Sequence, residues 1–321
     1  MRTWYWKIQQ MLDAIDAHIK SQGDEPLTLG DLAAELGYSE FYLSRKFREI
    51  TGLQFRDYLR LRRLAFAFCD VRDSDDGLLD IAVRYGFSSH EAFTRAFKEA
   101  YGVTPTAYRQ NPVPVVLRTI IRPFDCHLME IGEKHMTVKH GTVKTYFVTI
   151  PAHKFLHIRN YESNGYFDFW QKQAEIPGCD CETICGLLHS IPDKLDDLGS
   201  EDLSSGSGQI MGFLNHPRGR ICGWGIPLAE CYGVRLPSEY SGPIPPQMQL
   251  MDVPEGKYIV FEHGPFDYKT DTNVGSAIEA AMASFDYAAS GYELDLTPGR
   301  IFYFYHDPSR FWKYIRPVKS V

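Results

Sequence analysis

Apolar residues recur at helical spacing through the first third of the chain and at strand spacing through the second half. Leu43, Phe47 and Ile50 fall at i, i+4 and i+7, and Phe93 and Phe97 repeat the same step fifty residues on, so each set predicts the buried stripe of a short helix. A longer helix is expected over Gln54–Asp70 between them. Pro112 and Pro114 then interrupt the helical pattern, and residues 113–143 read as a linker in which Val115-Val116-Leu117 is a candidate strand. From residue 144 onward strands are expected at Ile184–Leu188, Ile210–Leu214, Ile301–Tyr305 and Phe311–Pro317, with a helix over Asp271–Ala289. Loops rich in Ser, Gly or Pro, Gly199–Gly208 and Pro237–Pro246, are expected to be mobile. The fold class expected is multidomain: an all-α tandem helix-turn-helix domain over residues 1–112, followed by a duplicated α+β domain over 144–321.

The helical part contains one pattern twice. Asp31-Leu32-Ala33-Ala34-Glu35-Leu36-Gly37, then Ser39 and Leu43-Ser44-Arg45-Lys46-Phe47, is matched by Asp80-Ile81-Ala82-Val83-Arg84-Tyr85-Gly86, then Ser88-Ser89 and Phe93-Thr94-Arg95-Ala96-Phe97. Two helices that cross tightly need a small side chain at the crossing, which Ala33 and Ala82 supply. Gly37 and Gly86 can take the left-handed conformation that stops the first helix, and the serines that follow can cap the second. The two units span about 27–52 and 78–102. The face opposite the buried stripe carries Phe41, Ser44, Arg45 and Arg48 in the first unit, and His90, Glu91, Thr94 and Arg95 in the second. Arginine matches the two acceptors of guanine in the major groove, so these are the candidate DNA-binding residues. Glu91 either accepts from a cytosine amino group or points away. The spacing from Gly86 to Arg95 is one residue longer than from Gly37 to Arg45, so the units are not identical.

Charge sharpens this picture. The chain of 321 residues carries a net −7, which argues against a generic nucleic-acid coat protein. Residues 1–112 hold 15 basic and 16 acidic side chains, however, and Ser39–Arg63 alone holds seven basic against three acidic, an excess of four. Such a local surface favours phosphate contact. No apolar run approaches the length of a membrane span and no signal peptide is read, so a cytoplasmic location is expected. The seven cysteines lack a framework spacing and read as reduced thiols. Cys179, Cys181 and Cys185, with His189 downstream, fit no common zinc spacing, so neither metal nor cofactor is expected, and the thiols are placed in and beside a strand.

Residues 5–110 resemble the DNA-binding domain of the AraC/XylS family of bacterial transcription regulators. Gly102-Val103-Thr104-Pro105-Thr106-Ala107-Tyr108-Arg109 matches that family's closing signature, and Gln54–Asp70 its linker helix. The resemblance implies that one molecule places both second helices in successive major grooves of double-stranded DNA, about one helical turn (~34 Å) apart, with RNA polymerase as a further partner.

The second half carries an internal echo. Val148-Thr149-Ile150-Pro151-Ala152-His153-Lys154-Phe155 is answered by Leu250-Met251-Asp252-Val253-Pro254-Glu255-Gly256-Lys257-Tyr258, and Gly165-Tyr166-Phe167-Asp168-Phe169 by Gly264-Pro265-Phe266-Asp267-Tyr268. With Tyr232-Gly233 and Tyr305-His306-Asp307-Pro308, this region resembles the GyrI-like, or integron-associated, effector-binding domain, and the whole chain a Rob-like architecture. The resemblance implies a duplicated antiparallel sheet with a groove, where its halves meet, for a small amphipathic or aromatic effector. Trp170, Trp224, Tyr232, Glu262, Tyr303 and Tyr305 are its candidate residues. Strand parity puts Tyr303 and Tyr305 on one face and Tyr258, Val260 and Glu262 on one face. Relatives that bind cations carry a glutamate where this chain has Tyr303; Glu262 is a possible substitute charge. The reading is a ligand-responsive, sequence-specific DNA-binding regulator and not an enzyme. A hydrolase acting on a reactive small molecule, or a partner-docking module, are the alternatives for the second half.

Overall fold

The computed structural model describes residues 2–21, 27–118, 143–195, 209–222, 225–267, 271, 273–307 and 311–321. The chain divides into two compact units: one holds the described residues up to 118 together with 185–192, and the other holds the rest.

The first unit is helical: α1 (Arg2–Ser21), α2 (Leu29–Leu36), α3 (Glu40–Thr51), α4 (Phe55–Asp73), α5 (Leu78–Arg84), α6 (His90–Tyr101) and α7 (Pro105–Gln110). Local chemistry sets the ends. Thr28 and Asp31 form a reciprocal capping box on α2, and Gly37 ends it in the left-handed region at φ 70°. Pro105 opens α7 behind a Thr104 cap. The core gathers one stripe from every helix: Ile8, Met11, Leu12 and Ile15 of α1 meet Leu43 and Phe47 of α3, while Phe68 of α4 stacks on Phe97 of α6 at 5.7 Å. At the centre Arg62 of α4 is wholly buried and donates from Nε to Asp16 Oδ1 of α1 at 2.9 Å, with a second contact from Nη2 to Asp16 Oδ2. Burial alone would lower the Arg62 pKa; the facing Asp16 carboxylate outweighs it and the net shift is upward. Val115 and Leu117 pack into the same core without forming a strand. Most of the rest of the expected linker lies outside the described residues.

The second unit is built on a nine-stranded sheet: β1 (Lys144–Ile150), β2 (His153–Asn160), β3 (Gln209–Ile221), β4 (Pro227–Pro237), β5 (Gln249–Val253), β6 (Gly256–His263), β7 (Tyr292–Leu294), β8 (Ile301–Asp307) and β9 (Phe311–Ser320). The order is β1-β6-β9-β8-β3-β4-β2-β5, with β7 added beside β9, and every pairing is antiparallel. One face buries Phe155, Ile210, Cys231, Val260, Ile301 and Ile315. On the other, Ile259, Phe261 and Val318 pack against Val274 and Ile278 of α10 (Val274–Ser284). Two further helices precede β3 in the chain: α8 (Tyr166–Ala174), and α9 (Cys181–Ser190), which from Cys185 onward is counted with the first unit.

Four sequence expectations need correction. Ile184–Leu188 is not a strand but the middle of α9. Asp180 starts it, accepting from Thr183 N at 3.0 Å, and Ile184, Leu187, Leu188 and Ile191 are buried at helical spacing. The cysteines Cys181 and Cys185 therefore lie on a helix. The expected helix over Asp271–Ala289 is two helices. Phe285 turns extended and inserts its ring between Phe147 and Phe261, after which Asp286 caps α11 (Tyr287–Ser290). The Pro237–Pro246 loop is anchored: Tyr240 is buried, donates to the Pro243 carbonyl at 3.0 Å and accepts from Lys154 at 3.0 Å. Val115–Leu117 forms no strand, as noted above. The Gly199–Gly208 loop lies outside the described residues. Among the described residues no helix is long and apolar enough to cross a membrane, and no cluster of metal-ligating side chains occurs.

Candidate nucleic-acid interface and effector groove

The two second helices, α3 and α6, are built alike. Each has twelve residues, a serine at its N-cap and a left-handed glycine at its C-cap: Ser39 and Gly52, Ser89 and Gly102. Ser39 Oγ accepts from Tyr42 N at 3.3 Å and Ser89 Oγ from Ala92 N at 3.1 Å. Counted from these caps, Leu43 matches Phe93 and Phe47 matches Phe97 as the buried stripe. Phe41, Ser44, Arg45 and Arg48 match Glu91, Thr94, Arg95 and Lys98 on the opposite face. The extra residue of the second copy is therefore absorbed in the turn, and Arg45 and Arg95 hold the same helical position. Lys98 was missed because the sequence reading counted from the glycines; counting from the serine caps would have found it. His90 matches Glu40 and stands one residue before this face.

The exposed faces are polar, cationic and open. Phe41 is 82% exposed, and Ser44, Arg45, Arg48, Glu91, Arg95 and Lys98 are exposed, with His90 and Thr94 half-buried. Among the described residues Arg45, Arg48, Arg95 and Lys98 have no carboxylate partner. Other nearby cations do: Lys46 pairs with Glu49 at 2.9 Å and Arg60 with Glu99 at 3.4 Å. Four positive charges with no carboxylate partner among the described residues, on two helices in one register, suit a polyanion. The Glu91 carboxylate is held below the usual range by its own backbone N–H and the Ser89 hydroxyl, so it folds back on the start of α6.

What stands behind the two helices differs. Behind α3, Trp4 of α1 lies 4.8 Å from the Tyr38 ring and 5.3 Å from Tyr42. Lys7 donates to the Tyr38 hydroxyl at 2.5 Å and sits 4.4 Å over its ring, while the Arg45 guanidinium lies 5.3 Å from the Tyr42 ring. Beside α6 the support is ionic: Arg84 of α5 reaches Asp70 and Asp76, each at 2.6 Å.

In the second unit the effector candidates fall on two faces. Trp170 of α8 packs edge-on against Tyr232 of β4 at 4.8 Å, and its indole N–H is buried with no hydrogen-bond partner among the described residues. Ladder register places Tyr232 on the sheet face opposite Tyr303. Tyr303, Tyr305 and Glu262 do share a face, with Tyr258 and Val260. Tyr303 is fully buried. His153 Nδ1 lies 2.8 Å from the Pro151 carbonyl, which can only accept, so in the neutral ring Nε2 accepts from the Tyr303 hydroxyl at 2.7 Å. The Arg235 guanidinium stands 5.8 Å over the Tyr303 ring. Glu262 is already engaged, accepting from Tyr146 at 2.6 Å and pairing with Lys313 at 2.9 Å. Burial opposes its ionisation but is outweighed by these partners, and its pKa is lowered. Trp224 lies outside the described residues.

A helix-turn-helix domain family model matches residues 32–111. Right origin-binding protein of Escherichia coli K12 is 39% identical over 105 residues, 33% of this chain and 35% of that protein. Regulatory protein SoxS of the same organism is 38% identical over 104 residues, 32% of this chain and 94% of that protein. Among solved structures, the C-terminal domain of AraT, a response regulator from Geobacillus stearothermophilus, is 33% identical over 32% of this chain and 84% of that chain, with a TM-score of 0.30. The chain thus spans nearly the whole of SoxS but about a third of the length of Right origin-binding protein.

Proposed function

The chain belongs to the AraC-type family of helix-turn-helix transcription regulators, and from that premise we propose that it binds specific double-stranded DNA sequences through α3 and α6 and changes transcription in response to a small effector. The carrying observation is the shared register of the two helices, each presenting cations that have no carboxylate partner among the described residues. The side chains proposed to meet DNA are Phe41, Ser44, Arg45 and Arg48 from the first helix and His90, Glu91, Thr94, Arg95 and Lys98 from the second. One molecule would set the two helices in successive major grooves, acting in the cytoplasm with RNA polymerase as the machinery it influences.

The second unit is proposed to be a duplicated, GyrI-like effector-binding domain. The strand order supports the duplication. Exchanging β1 with β5, β2 with β6, β3 with β8 and β4 with β9 reads the same order backwards. Proposed effector residues form two sets, Trp170 with Tyr232 on the helix-bearing face, and Tyr303, Tyr305 and Glu262 on the other, with Trp224 unplaced. With Tyr303 bound to His153 beneath a guanidinium, and Glu262 neutralised, the second set does not favour a cationic effector.

Fluorescence anisotropy with the upstream region of the protein's own gene tests the DNA reading. The Arg45→Ala/Arg95→Ala double variant should bind far more weakly and with a shallower salt dependence. Unchanged affinity and slope would show that this face does not meet DNA.

A further inference from the structure

α4 joins the two helix-turn-helix units. Its 19 residues give it a length of about 28 Å. At its start Phe55 packs on Phe47 of α3 at 5.7 Å, and further along Phe68 stacks on Phe97 of α6. Most of its side chains between these two points are buried. Three that are not, Arg56, Arg60 and Arg63, fall at i, i+4 and i+7 and form one stripe along the helix.

Two contacts fix the side of α4 on which the stripe lies. Arg60 reaches Glu99 of α6 at 3.4 Å, and Glu99 stands one turn on from Arg95 and next to Lys98. A side-chain carbon on Gly86, in the turn that leads into α6, would lie 3.3 Å from Arg63 Nη1. The stripe therefore runs alongside α6, next to its cationic face. Its charge is also largely uncompensated. Arg56 and Arg63 have neither a hydrogen bond nor an ion pair among the described residues, and Arg60 has only that long, exposed contact with Glu99. Asp57, the acid nearest in sequence, pairs with none of the three. Arg63 is half-buried, and burial, with no facing carboxylate to oppose it, lowers its pKa. A guanidinium held in this way gains from an anion that arrives with a binding partner.

We propose that α4 is a third DNA contact, in which Arg56, Arg60 and Arg63 hold phosphates of the backbone that crosses between the two major grooves. The inference rests on the DNA-binding reading above. Helices set in successive major grooves straddle a minor groove. The sugar-phosphate walls of that groove are the part of the duplex left to meet the helix that joins them. Guanidinium forks match phosphate oxygens and read no base there, so the stripe adds affinity for every sequence.

Anisotropy of the full chain on the upstream fragment and on an unrelated duplex, across a salt series, tests it. Arg56→Gln/Arg63→Gln should weaken binding to both duplexes by about tenfold at low salt and make each salt slope shallower by about two. Arg56→Gln alone should lower the slope by about one, which keeps the test decisive if the Arg63 change harms the fold. Ethylation interference on the fragment reports the position. Ethylated phosphates between the two major-groove tracts should block the wild-type chain, and fewer of them should block the double variant. Unchanged slopes in both arginine variants, or an interference pattern shared by wild type and double variant, would overturn the assignment. If Arg45→Ala/Arg95→Ala loses binding while the α4 variants keep it, this inference alone fails. If none of these variants changes binding, the DNA reading fails with it.

Discussion

The two helix-turn-helix units share a backbone plan and differ in what braces it. Behind α3 stand Trp4, Tyr38 and Tyr42 with Lys7 laid over them, and Arg45 rests against the outermost ring. Around α6 the bracing residue Arg84 is tied down by Asp70 and Asp76, and Glu91 takes the place that Phe41 holds in α3. Rings and cations back one unit, and carboxylates surround the other. On the proposed DNA face the same fold element thus carries a pre-positioned arginine in one case and a less positive surface in the other. Under that proposal the first unit reads bases and the second holds the backbone.

The most drastic way to break this contrast is to remove what both units lean on. Asp16→Ala leaves Arg62 buried and unpaired, and should cost about 3–5 kcal/mol of stability in urea unfolding. α1 carries the first unit's aromatic brace, so binding by that unit should fail first. Next come the two arginines. Arg45→Ala and Arg95→Ala should each lose roughly 1–3 kcal/mol of DNA binding, but Arg45→Ala should relax sequence preference while Arg95→Ala weakens all sites evenly and lowers the salt slope by about one. Indistinguishable selectivity profiles in competition assays would remove the division of labour. Tyr42→Leu isolates the brace. Losing the ring beneath Arg45 should cost about 0.5–1 kcal/mol of affinity, concentrated at the base Arg45 reads. The smallest effect is expected from Glu91→Gln, which should slightly strengthen binding to all sequences. The Glu91 pKa is lowered in the fold, so the support its charge lends to α6 is present above the ordinary carboxylate range and lost as pH falls through its folded value. Amide exchange of α6 in the two proteins should therefore differ at neutral pH and converge in acid.

The helical unit was legible because its signals are local: a cap, a stripe and a stop glycine all lie within one helix. Even there α1 escaped notice, although Ile8, Met11, Leu12, Ile15 and Ile19 mark its stripe plainly. In the sheet unit the strands of the echoing segments were foreseeable from apolar runs, but Ile184–Leu188 was not, since a short apolar run reads equally as helix or strand. Asp180 and Thr183 were the deciding residues. Alternation placed Tyr303 with Tyr305, but it could not say that Tyr232 faces away from them. That depends on the register of β4 against β3 and of β3 against β8, segments some seventy residues or more apart in the case of β4 and β8.

The edges of the sheet also set a timetable. Lys144 of β1 pairs with Glu262 of β6, and β5 closes on β2 across nearly a hundred residues. β1 leaves the ribosome long before β6, its ladder partner among the described residues, exists, and β6 in turn pairs with β9, which is made later still. Helices α1 to α7, made first and packed on near neighbours, can be folded while the sheet is still waiting. During synthesis, then, the chain passes through an interval in which a finished DNA-binding unit trails an open strand edge. A chain cut before β6 would remain in that state, with β1 free to pair with another molecule.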